Sequence, residues 1–200
     1  PATAETIDRV VASVENAAIT QSDVERQYRL ELFLNGQTPE EAPDTASLKG
    51  VRDRLISQLL LEQEAEAEAG EVSDFSQKAA KAWEEVRAKY ASEEVFQSAL
   101  HKLGMSEQGV LEHLQAQERT LYLIDQRLRP AAWVELSEIE DYYRETFVPE
   151  YNRRTTATPP PLKEVENKIR EILVQKKIDE LLSTWLEELR TGRRVKIHSF

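Results

Sequence analysis

The chain contains no cysteine, which removes thiol nucleophiles, disulfides and cysteine-ligated metal sites together. It has only six glycines, and none falls in a GxxxxGK[ST] or GxGxxG pattern, so nucleotide hydrolysis and dinucleotide binding by those loops are excluded. The three histidines, His101, His113 and His198, are isolated, with no HExxH and no pair at metal-ligand spacing. No GxSxG elbow is present, and no pair of carboxylates stands out as an acid and base. Catalytic residues, cofactor and metal ligands are therefore all expected to be absent. Long apolar runs are missing too, since Leu55 to Leu61 and Leu121 to Ile124 are short and interrupted, so no integral membrane segment is expected. Basic residues are outnumbered 26 to 37, for a net charge of −11. Such a balance argues against nucleic acid as a partner, because phosphate binding needs a concentrated basic surface.

What is present is helical patterning. Two hundred residues at 40% hydrophobic content can bury one sizeable core or two small ones. Near the start, Val10 to Val14 and Ala17 to Thr20 flank Glu15-Asn16 and predict a β-hairpin. Ser22-x-x-Glu25 follows with the spacing of a capping box, opening a helix over Asp23 to Leu34 that Asn35-Gly36 ends. After an exposed loop from Pro39 to Pro43, Leu48, Val51, Leu55 and Leu59 keep helical spacing in a helix from Ala46 to Ala69, with Gly70 as its stop.

Ser73, Ser92 and Ser106 are placed to cap three further helices, the last halted by Pro130. Ser137-x-x-Glu140 reads as another capping box, opening a helix that carries Ile139, Tyr142, Tyr143 and Phe147 up to Pro149. Residues 148–161, with the stiff TTATPPP run at their end, read as a linker. A long helix then carries the apolar stripe Leu162, Val165, Ile169, Ile172, Leu182, Trp185 and Leu189 to Gly192. Val195 and Ile197 alternate with Lys196 and His198 as a closing strand, expected to pair with the N-terminal hairpin.

This order of hairpin, helix, long helix, three capped helices, an LSEIEDYY helix and the segment KEVENKIREILVQKKIDELLSTWLEELRTGRRVKIH resembles the N-terminal chaperone domain of the SurA family. It shares parts of its design with the PrsA and PpiD isomerase-chaperones. The resemblance spans nearly the whole chain. It implies a mainly α fold, a SurA N-terminal-like helical domain over residues 1–200 with a small hairpin and terminal strand, completed by the long C-terminal helix. Family members usually insert one or two parvulin prolyl isomerase domains before that helix. Only residues 148–161 stand there in this chain, so the resemblance implies a chaperone core without the enzyme.

The corresponding functional expectation is an ATP-independent periplasmic holdase for unfolded or extended polypeptides, by analogy outer-membrane β-barrel precursors, with a signal peptide removed ahead of Pro1. Clusters of large side chains with polar tips suit a surface that accepts varied clients, which makes Tyr28, Leu32, Phe33, Trp133, Tyr142 and Tyr143 the candidate client-binding residues. A homodimer formed by exchange of the C-terminal helix is also open to such a chain. The competing expectation is a helical scaffold or adaptor that docks one folded partner.

Overall fold

The computed structural model describes residues 8–38, 43–67 and 74–200. The loop expected at Pro39 to Pro43 falls largely outside them, as do Gly70 and Ser73. The chain is mainly helical with a small antiparallel sheet: β1 (Val10–Val14), β2 (Ala17–Thr20), α1 (Gln21–Leu34), α2 (Thr45–Ala67), α3 (Ser76–Arg87), α4 (Glu93–Leu103), α5 (Glu107–Leu128), α6 (Leu136–Tyr142), α7 (Val148–Arg154), α8 (Leu162–Gly192) and β3 (Val195–Ile197). No described helix is long and apolar enough to cross a membrane.

Where the sequence reading treats residues 1–200 as one domain, the chain divides into two compact units. One comprises Pro1–Leu121 with Leu186–Phe200, the other Tyr122–Trp185. The physical reason is that the apolar residues gather in separate cores, to which α8 contributes at both ends, Ile169 in the second unit and Leu189 in the first.

In the first unit the sheet order is β2-β1-β3. The terminal strand pairs with the hairpin as expected, Ala12 opposite Ile197 and Val14 opposite Val195. Val11, Ala12 and Val14 are all buried, which strict alternation along a strand forbids. The register irregularity between Val10 and Ala12 resolves this, since a bulge turns two successive side chains toward one face. Behind the sheet lie Val24, Leu48, Val51, Ile56 and Leu60. Arg52 of α2 ties down the end of the chain: it pairs with Asp53, donates to the His198 carbonyl at 3.2 Å and lies over the Phe200 ring.

β3 is an edge strand, and Ile197 is 53% exposed whereas Val195 packs on the core. Ile197→Asp is accordingly expected to change stability by less than about 0.5 kcal/mol and Val195→Asp to cost about 1–3 kcal/mol. Denaturant titration of the two variants checks the order.

A second cluster of the same unit gathers Leu30, Phe33, Trp83, Val86, Phe96, Leu103 and Val110. Phe33 sits at its centre, its ring 6.1 Å from Trp83, 5.6 Å from Tyr90 and 5.6 Å from Phe96. The end of α1 has no basic residue of its own. Its terminal carbonyls are satisfied from elsewhere: the Tyr90 hydroxyl donates to Phe33 O at 2.7 Å and Lys89 Nζ to Leu34 O at 2.7 Å. Burial pushes the Tyr90 phenol up to about 12. Gly36, at φ 77°, follows the helix where a Cβ would meet that of Lys89 at 2.7 Å, so the close approach of these segments requires glycine.

The second unit has its own small core of Val134, Ile139 and Ile169, flanked by Tyr142, Tyr143, Phe147, Leu162 and Val165. Pro149 does not end the helix. A π-helical turn at Tyr143–Phe147 precedes it and α7 continues to Arg154, because the shifted hydrogen-bond register places the proline in a first helical turn, where its missing N–H costs nothing. The expected linker 148–161 is thus helical in its first half. Its proline run is held by the Tyr143 hydroxyl, which donates to Pro160 O at 2.8 Å.

The expected stripe of α8 is shifted in part. Ile178 is buried and Ile172 is 43% exposed, a consequence of one helix serving two cores in succession.

Two capping boxes lie elsewhere than their spacing suggests. Thr20 caps α1, accepting from Asp23 N at 3.3 Å and donating its own N–H to Asp23 at 3.0 Å, while the Ser22 amide is taken by Asp8. Glu135, with Glu138 reaching back at 2.9 Å, replaces Ser137 at the start of α6. Ser92 and Ser106 cap α4 and α5 as expected.

Candidate functional site

Within the first unit, α1, α2 and α5 enclose two adjacent clefts of about 360 and 330 Å³. The three walls start at defined points: α1 at the Thr20–Asp23 box, α2 where Asp44 accepts from Ser47 N at 2.7 Å, and α5 at Ser106. Leu30, Leu55, Leu59 and Met105 give the first cleft its apolar lining, and Leu34, Leu61 and Leu121 the second. Gln27, Gln58, Glu62 and His113 line both. The result is a polar waist between two apolar hollows.

Helical spacing produces this waist. Gln27 and Glu31 on α1, and Gln58 and Glu62 on α2, are i,i+4 pairs on facing helices. The amides of both donate along their own helix, Gln58 Nε2 to Glu62 at 2.8 Å and Gln27 Nε2 to Glu31 at 3.4 Å. The other charges of the lining are neutralised locally. Asp23 pairs with Arg26 at 3.1 Å, and Glu31 holds Arg54, whose Nε donates at 3.0 Å. Among the described residues no lysine or arginine pairs with Glu62.

His113 faces Glu62 and Glu31, whose charges favour its protonated form, but burial outweighs them and holds its pKa below the ordinary value. The unfolded chain therefore binds a proton here more readily than the folded one. Stability from this residue is fully present above about pH 6.5, declines as pH falls through that value and levels off below the folded pKa. His113→Gln is expected to flatten this part of the stability profile between about pH 7 and 5, measured by urea titration at each pH.

The six residues expected from sequence are distributed differently. Phe33 is fully buried and lines no surface. That is a correction: its helical position points it between α3 and α4. Tyr28 packs partly onto the core behind the sheet, and Leu32 is half-buried. Neither lines the clefts, because positions 27, 30, 31 and 34 share one helix face and 28 and 32 the next. In the second unit Tyr142 and Tyr143 flank the small core, and Tyr143 stacks on Phe147 at 5.6 Å.

Trp133 alone of the six is a largely exposed aromatic, at 68%, with Leu136 nearby in sequence at 54%. Lys177 fixes its backbone, donating to Trp133 O at 2.6 Å and to Glu138 at 2.9 Å. Among the described residues no group of His, Asp and Glu is arranged to hold a metal ion. The sequence reading missed the cleft residues, although two Gln-x-x-x-Glu pairs beside apolar stripes were the available signal. No family model matches this chain, and no curated protein matches it in sequence.

Proposed function

We propose that this protein is an ATP-independent holdase that shields unfolded polypeptide, without prolyl isomerase activity. In keeping with the SurA-like order of its segments, it would work in the periplasm on outer-membrane β-barrel precursors. The observation that carries this reading is the paired cleft of α1, α2 and α5. Each hollow stands at the small end of ligand-binding volumes, which suits one or two side chains of an extended segment better than a folded partner. Leucines on either side offer apolar area worth roughly 25 cal/mol per Å². Gln27 and Gln58 offer amide oxygens to the N–H groups of a bound backbone. After ordering costs such contacts give weak, reversible capture, the property a carrier needs.

The test is dilution of a urea-unfolded β-barrel membrane protein into buffer without ATP, with aggregation followed by light scattering. Protection is expected at a few-fold molar excess, with no acceleration in a prolyl isomerisation assay. Leu121, 52% exposed at the second hollow, can be changed without opening the core. Leu121→Asp is expected to raise the concentration giving half-protection roughly fivefold while leaving the melting temperature in place. Unchanged protection would remove the clefts from the client site, and undiminished aggregation with the wild-type chain would overturn the holdase reading.

A further inference from the structure

We infer that the waist between the two hollows selects client segments bearing a lysine or arginine with apolar residues on either side, and that Glu62 is the residue that reads this cation. The inference rests on the clefts being the client site and adds its chemical preference. Three carboxylates belong to the lining, and two already have arginine partners, Asp23 with Arg26 and Glu31 with Arg54. Among the described residues Glu62 accepts only the neutral Gln58 amide, which leaves carboxylate lone pairs facing the space that both clefts share.

Of the cationic groups that line the clefts with it, Arg26 is held by Asp23 and Arg54 by Glu31, and burial holds the His113 pKa below its ordinary value, so among the described residues the Glu62 charge is not cancelled from within. Leu30, Leu55 and Leu59 on one side and Leu34, Leu61 and Leu121 on the other lower the local dielectric, which strengthens an ion pair formed at the waist relative to one on an open surface. A client with a carboxylate at that point would meet Glu62 as a like charge without a counterion. The occupant that complements the whole surface is thus an extended chain reading apolar, basic, apolar.

The experiment uses the full chain and three dye-labelled nonapeptides of alternating leucine and serine, identical except for a central lysine, glutamine or glutamate. Binding is followed by fluorescence anisotropy at pH 7.5 and about 150 mM salt, where diffuse attraction is screened. The lysine peptide is expected to bind about three- to tenfold tighter than the glutamine peptide, with the glutamate peptide weakest. Glu62→Gln keeps the shape and the Gln58 bond and should erase the lysine preference. Glu62→Lys should reverse it in favour of glutamate. Glu66→Gln, an equal change of net charge one turn along α2, should leave it intact.

Equal binding of all three peptides by the wild type, or loss of preference in Glu66→Gln as large as in Glu62→Gln, would overturn the selection while leaving the clefts as the client site. Failure of every peptide to bind would overturn the client site and the selection with it.

Discussion

Replacing Phe33 by alanine is expected to lower the unfolding free energy by about 3–5 kcal/mol. The ring is fully buried and is the common neighbour of Trp83, Tyr90 and Phe96, so its removal leaves a cavity walled by large rigid groups that collapse poorly. It also loosens the end of α1, where the Phe33 carbonyl receives the Tyr90 hydroxyl. Tyr90→Phe separates the two contributions. It keeps the ring, removes one hydrogen bond and should cost about 1 kcal/mol. Urea denaturation of both variants checks the ratio, and a loss below about 1 kcal/mol for Phe33→Ala would contradict the packing. Any loss of client protection in Phe33→Ala would therefore report unfolding of the first unit rather than removal of a binding residue.

Ending the chain after Thr158 is expected to abolish cooperative unfolding of the second unit and to lower the melting point of the first. Residues 122–158 would keep Val134 and Ile139 but lose Ile169, Leu162, Val165, Leu173 and Val174, the other side of their core. Each large apolar side chain so lost removes about 1.5–3 kcal/mol of burial. Tyr143 would also lose its acceptor at Pro160. In the first unit β1 would lose β3, and α2 would lose Arg190, which donates to Ser57 at 2.9 Å, together with Arg193, which pairs with Glu64. Calorimetry of the shortened chain should show one broadened, lower transition and no second one. A melt that matches the full chain would mean that α8 contributes nothing to either core.

The short-range features of this fold were legible in the amino-acid order because they depend on chemistry within one or two turns. The hairpin, the stop at Asn35-Gly36, the caps at Ser92 and Ser106 and the unbroken α8 all follow from β-branching, left-handed glycine, hydroxyl acceptors and apolar spacing. Even the pairing of β3 with β1 was legible, since a three-residue strand has no stability alone.

Where two nearby groups compete for the same role, the outcome depended on the tertiary structure. Thr20 displaced Ser22 as the cap of α1 because the strand before it delivers an extended residue at that point and Asp8 takes the Ser22 amide. The π-helical turn carried Pro149 through a helix that the proline alone would have ended. Periodicity states that a helix has a face but not which neighbour covers it, so it could not divide α8 between two cores. For the same reason it marked Phe33 as apolar without showing that α3 and α4 bury it. The candidate site was least legible of all. Gln27, Gln58, Glu62 and His113 are ordinary polar residues on three separate helices, and only the packing of α1, α2 and α5 brings them together, leaving Glu62 without a lysine or arginine partner among the described residues.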